Sequence, residues 1–290
     1  MSDQITLNMI LLDQFSKGKI PGGSFPAWSL KVMENIALCG TDYYGMNKSV
    51  CEQCGHIEIH YGTCNNPNCP TCGGAKRKRW ITEQNEKAIA ATAFHIIFTI
   101  PDKYLNRLAL HDPRPFYNAM FDASAKAVKK LSKDPKYFGA VKTGFFSCLH
   151  TWGSTLVFHP HIHMVLYGAG LDENGNLVTC PYGTKFIFPA KVLAKLFKKY
   201  LMKRLRKLYG GAGSSWLWDL EEAKRAEWNV QIQKGQENPK HAINYLGRYV
   251  NRTAISNSRI HSYDGKFVTF EYKDYRDHGG VTRHILLYVF

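Results

Sequence analysis

Residues 158–166 read Phe-His-Pro-His-Ile-His-Met-Val-Leu, a short run in which histidine alternates with other residues. Successive side chains of a strand point to opposite faces, so His161 and His163 share one face while Ile162 points into the core. Two neutral imidazoles fixed on one rigid strand form a preorganised pair of ligands for a divalent metal ion. A histidine-rich surface strand is the alternative interpretation, and other segments of the chain bear on the choice.

A helix that carries two tyrosines is predicted to begin at residue 239. Asn238 precedes it as an N-cap, Pro239 occupies the first position, and apolar residues recur at helical spacing. Tyr245 and Tyr249 are four residues apart and therefore lie on one helical face. Such a pair is commonly part of a core or its rim. In a protein with a metal-binding strand, a phenol oxygen can instead attack a phosphodiester, which leaves a phosphotyrosine and a free hydroxyl.

The composition is that of a protein that binds a polyanion. The chain has 290 residues, and 38 Lys and Arg against 23 Asp and Glu give a formal charge of +15. A ribosomal or membrane-surface protein would carry the same sign. Four consecutive basic residues precede Trp80: Lys76, Arg77, Lys78 and Arg79. They belong to a helix that is predicted over residues 75–93. They are candidate phosphate contacts, and a solvated helix face is the alternative.

No apolar run reaches membrane-spanning length and the N-terminus lacks the signal-peptide pattern, so we expect a cytoplasmic protein. Disulfides are rare in the cytoplasm, so its cysteines should be thiols or metal ligands.

The cysteines predict a zinc site. Six of the eight cysteines lie in one N-terminal segment: Cys39, Cys51, Cys54, Cys64, Cys69 and Cys72. Two Cys-x-x-Cys knuckles, at 51–54 and 69–72, have the separation of a tetrahedral zinc site. Redox dithiols are the alternative.

Two further thiols leave the ligand set open. Cys39 and Cys64 bring the number of thiols to six, which exceeds one tetrahedral site. Either one of them substitutes as a ligand, or a second ion is held with help from His56 or His60.

Several of these motifs resemble one family in the expected order. His161-Ile162-His163 resembles the His-hydrophobe-His motif of the HUH single-strand endonucleases. Tyr245-Leu246-Gly247-Arg248-Tyr249 is similar to the paired-tyrosine helix of the two-tyrosine rolling-circle insertion-sequence transposases. The similarity extends to residues 150–153 upstream and to residues 252–257 and 268–274 downstream. Residues 39–74 also resemble the transposase zinc-binding domain that precedes the catalytic domain in that family.

The resemblance implies a fold and a division into domains. We expect an α+β protein with a central antiparallel sheet that carries the histidines and is packed by helices, the HUH endonuclease fold. A small helical, zinc-ribbon-like domain over residues 1–85 would precede a catalytic domain over residues 86–290. Because family members usually continue beyond residue 290, the chain is expected to be truncated at its C-terminus.

The resemblance also implies a metal centre and its ligands. His161 and His163 would hold Mg²⁺ or Mn²⁺, besides the structural Zn²⁺ of the cysteines. His150 is the preferred third ligand, because it lies on the neighbouring predicted strand and a histidine at this upstream spacing has that role in related relaxases. His159, on the same face as His161, is the alternative.

The implied activity is DNA transposition by metal-dependent single-strand cleavage and strand transfer through 5′-phosphotyrosine intermediates. Tyr245 and Tyr249 would be the alternating nucleophiles, and Arg248 and Arg252 would contact the DNA. The partner would be DNA, mainly the single-stranded element ends and target, and the bound protein would associate with the nucleoid. A rolling-circle replication initiator or relaxase, or a decayed non-catalytic zinc-ribbon DNA-binding protein, are the alternatives.

Overall fold

The structure is a computed structural model that describes residues 4–21, 23, 25–247, 253–274 and 281–288. The chain divides into two compact units. The first unit consists of Met1–Trp80, Ser154–Val157 and Asn251–Phe290, and the second consists of Ile81–Gly153 and Phe158–Val250. Among the described residues, no helix is both long and apolar enough to cross a membrane.

Eight helices and ten strands form in these residues. The helices are α1 Leu7–Ser16, α2 Ala27–Ala37, α3 Pro70–Glu86, α4 Asp102–His111, α5 Pro113–Ser132, α6 Ala190–Tyr209, α7 Leu217–Arg225 and α8 Pro239–Gly247. The strands are β1 Met46–Val50, β2 Ile57–Tyr61, β3 Ala93–Thr99, β4 Lys142–Trp152, β5 Phe158–Leu171, β6 Leu177–Thr179, β7 Val230–Ile232, β8 Ile260–Tyr263, β9 Phe267–Asp274 and β10 Val281–Tyr288.

The first unit contains two helices, a hairpin and a three-stranded sheet. The helices α1 and α2 confirm the expectation that the segment before the zinc-binding cysteines is helical. Strands β1 and β2 form an antiparallel hairpin whose ten residues are exposed. Strands β8, β9 and β10 form an antiparallel sheet in the order β10-β9-β8, and its Ile260 and Phe270 are buried in one cluster with Ile10 of α1.

The second unit is built on an antiparallel sheet. Its strand order is β4-β5-β3-β7, with β6 also paired to β5. Alternate residues of β5, such as Ile162 and Met164, are buried in one core with residues of α5 and α6 such as Met120 and Phe197. Because strand side chains alternate between faces, this packing leaves the intervening residues of β5 on the opposite face. The arrangement confirms the predicted α+β fold class.

The opposite face of this sheet is contacted by α8. Helix α8 contacts β3 and β5, and it begins as predicted, with the Asn238 side chain accepting a hydrogen bond from the Lys240 N–H at 3.0 Å. In the register of the sheet, His150 of β4 is opposite His161 of β5, and Ile97 of β3 is opposite His163. Three adjacent strands and one helix therefore meet around the histidine motif.

Two helices differ from the sequence-based expectations. Helix α3 begins at Pro70 and ends at Glu86, whereas a helix over residues 75–93 was expected. Proline suits the first turn of a helix, where its missing N–H would have no intrahelical partner, and the earlier start buries Cys72 and Gly73. Helix α7 was not expected, and its buried Leu220 and Ala223 lie three residues apart, the spacing of one helical face.

Candidate functional site

Three imidazoles converge on the α8 side of the central sheet. They belong to His150 of β4 and to His161 and His163 of β5, and one ring nitrogen from each lies within 4.8 Å of the others. Ring centroids are 4.8 Å apart for His161 and His163, 5.0 Å for His150 and His163, and 5.4 Å for His150 and His161. His150 and His163 are buried. The structure thus brings together the two predicted ligands and the preferred third one.

Hydrogen bonds determine which nitrogens face one another. The Nδ1 of His161 lies 2.7 Å from the His159 carbonyl oxygen, which can only accept, so this nitrogen donates and Nε2 presents its lone pair. The Nδ1 of His163 lies 2.8 Å from His95 Nε2. The two remaining Nε2 atoms, of His161 and His163, are 3.1 Å apart. Cis ligands of an octahedral ion with bonds near 2.1 Å are separated by about 3 Å, so these residues fit a divalent cation.

Burial also keeps the imidazole of His161 in the state that binds metals. It lowers the pKa of His161 to about 4, and it lowers the pKa of His95 below the usual histidine value. Removal from water disfavours the charged imidazolium. His161 is therefore neutral at physiological pH and available as a ligand.

His159, the alternative third ligand, makes a different contact. Its ring centroid is 5.1 Å from that of His161, but its Nδ1 is bonded to the carboxylate of Asp102 at the start of α4. It does not belong to the group of three converging side chains. An ion pair with a carboxylate orients this ring and occupies one of its two nitrogens.

Tyr245 is linked to the histidine group through His95. Its ring meets the His95 ring edge to face, with centroids 5.1 Å apart, and the His95 ring lies side by side with that of His163, with centroids 5.0 Å apart. Sequence analysis did not identify His95. The signal that could have identified it is its position as a polar residue inside the apolar run 93–98. A histidine buried there requires a hydrogen-bond partner. The predicted Tyr249, Arg248 and Arg252 lie outside the described residues.

A cavity of about 360 Å³ adjoins Tyr245. Its lining includes three aromatic rings and three amide side chains: His95, His241, Tyr245, Gln233, Gln236 and Asn244. Amide groups both donate and accept hydrogen bonds, as the edges of nucleobases do. The cavity can thus offer rings for stacking and amides for hydrogen bonding to one ligand.

Four thiols form a separate group in the first unit. The Sγ atoms of Cys39, Cys64, Cys69 and Cys72 all lie within 4.8 Å of one another. Cys72 Sγ is 3.6 Å from Cys39 Sγ and 3.7 Å from Cys64 Sγ. These distances are too long for disulfides, and they match the edge of about 3.8 Å of a tetrahedron with Zn–S bonds near 2.3 Å. The cluster fits structural zinc.

This ligand group differs from the expected pairing of the two knuckles. Cys51 and Cys54 are exposed, and they lie in the turn of the β1–β2 hairpin, which the Gly55 N–H closes by donating to the Cys51 carbonyl. Cys39 and Cys64, expected either to supply a substitute ligand or to help hold a second ion, take their place in the four-thiol cluster. The reason is that the N-terminus of α3 presents Cys69 and Cys72 to the end of α2 instead of to the hairpin turn.

The basic run predicted to contact DNA lies on α3. Lys76, Arg77, Lys78 and Arg79 are all exposed. Lys76 donates a hydrogen bond through Nζ to the Asn65 carbonyl. Exposed cationic side chains on one helix are able to contact a phosphate backbone.

Comparisons with known proteins match the segments of the chain that contain these two groups of residues. A family model described as "Putative transposase" matches residues 144–288, which is half of the chain, and one described as "Transposase zinc-binding domain" matches residues 11–100. The "Putative transposase y4qJ" of Sinorhizobium fredii (strain NBRC 101917 / NGR234) is 33% identical over 86% of this chain and 65% of its own length. The "Transposase for insertion sequence element IS801" of Pseudomonas savastanoi pv. phaseolicola is 29% identical over 85% of this chain and 61% of its own.

The chain therefore spans less than two thirds of the length of these two relatives. No solved structure matches the chain.

Proposed function

The chain belongs to the family of insertion-sequence transposases of the IS91 and IS801 type, and we propose that it cuts and rejoins single-stranded DNA through phosphotyrosine intermediates. One observation carries this proposal. His150, His161 and His163 converge, and His95 links His163 to the ring of Tyr245. A metal-binding group and a candidate nucleophile thus share one network of side-chain contacts.

The metal centre of the proposal consists of His150, His161 and His163. They would hold Mg²⁺ or Mn²⁺, with coordination positions left for water and phosphate oxygens. Such an ion would withdraw charge from the scissile phosphate and stabilise the transition state. Two hydrogen bonds would orient the ligand rings: His161 donates to the His159 carbonyl, and His163 is hydrogen-bonded to His95. Residues that hydrogen-bond to metal ligands commonly fix the orientation of those ligands.

Tyr245 is the proposed nucleophile on α8. Its phenol oxygen would form a bond to phosphorus as the bond from phosphorus to the 3′ oxygen breaks. The phenol loses a proton and the leaving 3′ oxygen gains one, so the products are a 5′-phosphotyrosine and a 3′ hydroxyl. Attack of another 3′ hydroxyl on the phosphotyrosine reverses the step and joins the strands. Tyr249 is proposed as the second nucleophile because it follows four residues later.

The cavity beside Tyr245 is the proposed site for an unpaired nucleotide next to the scissile phosphate. Its amides, from Gln233, Gln236 and Asn244, would hydrogen-bond a base edge, and its rings would stack on the base. The exposed cations of α3 would supply affinity for the backbone with little choice of sequence. This division of roles favours single-stranded over double-stranded substrate, because paired bases expose no ring face for stacking.

The test is formation of a covalent adduct. Labelled single-stranded oligonucleotides from the DNA that flanks the gene are incubated with the full chain and Mg²⁺ or Mn²⁺. We expect an adduct that survives denaturation, maps to Tyr245 or Tyr249, and requires the metal. Tyr245→Phe and Tyr249→Phe should each retain part of the adduct, and the double variant should form none. Tyr200→Phe, which removes the hydroxyl of a half-buried tyrosine on α6, is the matched control.

Substitution of a metal ligand separates chemistry from binding. His161→Ala should abolish the adduct while single-strand binding stays near that of the original chain, because basic contacts supply most of the affinity. His111→Ala, at the end of α4, is the control for a histidine outside the converging group. An adduct on any other residue, or one that persists in the double tyrosine variant, contradicts the proposed mechanism.

A further inference from the structure

The three-stranded sheet of the first unit carries a second group of metal-binding side chains. Each strand contributes one: His261 from β8, Glu271 from β9 and His284 from β10. One ligand atom of each lies within 4.8 Å of the other two. His261 Nε2 is 3.4 Å from a Glu271 carboxylate oxygen, and the two imidazole centroids are 4.6 Å apart with their planes at 82°.

Sheet register explains why these side chains meet. Phe270 of β9 and Ile260 of β8 are buried in the apolar cluster of the first unit, and Ile285 of β10 packs against them. Neighbouring residues along a strand point to the opposite face, so Glu271 and His284, which are register partners, turn away from that cluster. The β8–β9 pairing shifts register between Ile260 and Ser262, which accommodates His261 beside them.

An ion pair alone does not account for this group. Half-exposed His–Glu pairs contribute little to stability, and one carboxylate needs only one imidazole to form such a pair. A simple His–Glu pair on β2 serves for comparison. There, His60 Nε2 is also 3.4 Å from a carboxylate oxygen, that of Glu58. That pair is not part of any group of three donors in the described residues. The second imidazole, that of His284, distinguishes the group on the three-stranded sheet from the His60–Glu58 pair.

We propose that His261, Glu271 and His284 form a binding site for a divalent transition-metal ion such as Zn²⁺. Two imidazoles and one carboxylate suit zinc, cobalt and nickel, which bind imidazole nitrogen more tightly than Mg²⁺ does. The ligands come from three hydrogen-bonded strands, so little side-chain freedom is lost on binding. The bound ion joins β8, β9 and β10 through their side chains and keeps its other coordination positions for water. This site does not depend on the proposed function.

Histidine footprinting tests the site residue by residue. The full chain, with zinc already bound at its thiols, is treated with diethyl pyrocarbonate at increasing Zn²⁺, and modified peptides are quantified by mass spectrometry. A coordinated nitrogen cannot be acylated, so at a zinc concentration ten times the Kd both His261 and His284 should react about tenfold more slowly. His111, an exposed histidine at the end of α4, is the internal reference and should keep its rate. Mg²⁺ in place of Zn²⁺ should protect neither residue.

Matched variants complete the test. Glu271→Gln keeps the shape of the side chain and removes a ligand, so the zinc concentration for protection should rise at least about tenfold. His284→Gln should remove the protection of His261, and Glu58→Gln should change nothing. Circular dichroism establishes that each variant is folded. Equal reactivity of His261 with and without Zn²⁺, or unchanged protection of His261 in His284→Gln, overturns the proposal.

Discussion

Replacement of Cys72 by serine should release zinc from the first unit, whereas replacement of Cys51 should not. Cys72 Sγ is 3.6 and 3.7 Å from two other thiols of the four-cysteine cluster, and a serine oxygen is a poor substitute for a thiolate. Structural zinc contributes about 10–16 kcal/mol in small zinc-finger peptides. The large aliphatic side chains that are fully buried beside the thiols are Leu11, Ile20 and Ile36, and their burial contributes about 5–9 kcal/mol together. Loss of zinc should therefore cost this segment more than the loss of these three side chains would.

Elemental analysis and hydrogen exchange measure this effect. The original chain should contain about one zinc ion in the cluster, and Cys72→Ser should lose it, with faster amide exchange over residues 38–72. Cys51→Ser is the matched control, because it makes the same chemical change in an exposed hairpin turn. Zinc retained by Cys72→Ser, or lost from Cys51→Ser alone, would refute the assignment of the ligands. Freshly purified, reduced protein without zinc would refute the site altogether.

Three further changes probe the second unit. His150→Ala should reduce the cleavage rate more than His159→Ala does, and equal rates in single-turnover assays would reject His150 as the third ligand. His95→Phe keeps a ring but removes the hydrogen bond to His163, the proposed metal ligand. The Mn²⁺ concentration for half-maximal cleavage should therefore rise about 10–100-fold, and excess Mn²⁺ should restore the rate. Gly247→Ala would place a methyl group 2.3 Å from Ile81 Cγ1, which should cost about 1–3 kcal/mol in urea denaturation. The cost should be smaller in an Ile81→Ala background, and an equal cost would show that this contact is not responsible.

The sequence by itself was sufficient for the local features of the site. Alternation along residues 158–166 placed His161 and His163 on one face, because the side-chain period of a strand is two. Asn238 and Pro239 marked the start of α8, because helix caps are short-range signals. The order of several motifs indicated the transposase family and, through it, the α+β fold. Each of these inferences used either residues close together in the chain or the order of motifs along it.

Only the tertiary structure decided which distant residues meet. The two Cys-x-x-Cys motifs look equivalent in sequence, yet the cluster joins Cys72 to Cys39, 33 residues away, and leaves Cys51 on the hairpin. His95 is 68 residues from His163, and nothing in its local spacing marks it as a partner. Spacing determines contacts within one turn or one strand face. Contacts between separate elements depend on how strands pair and helices pack, which the tertiary structure determines.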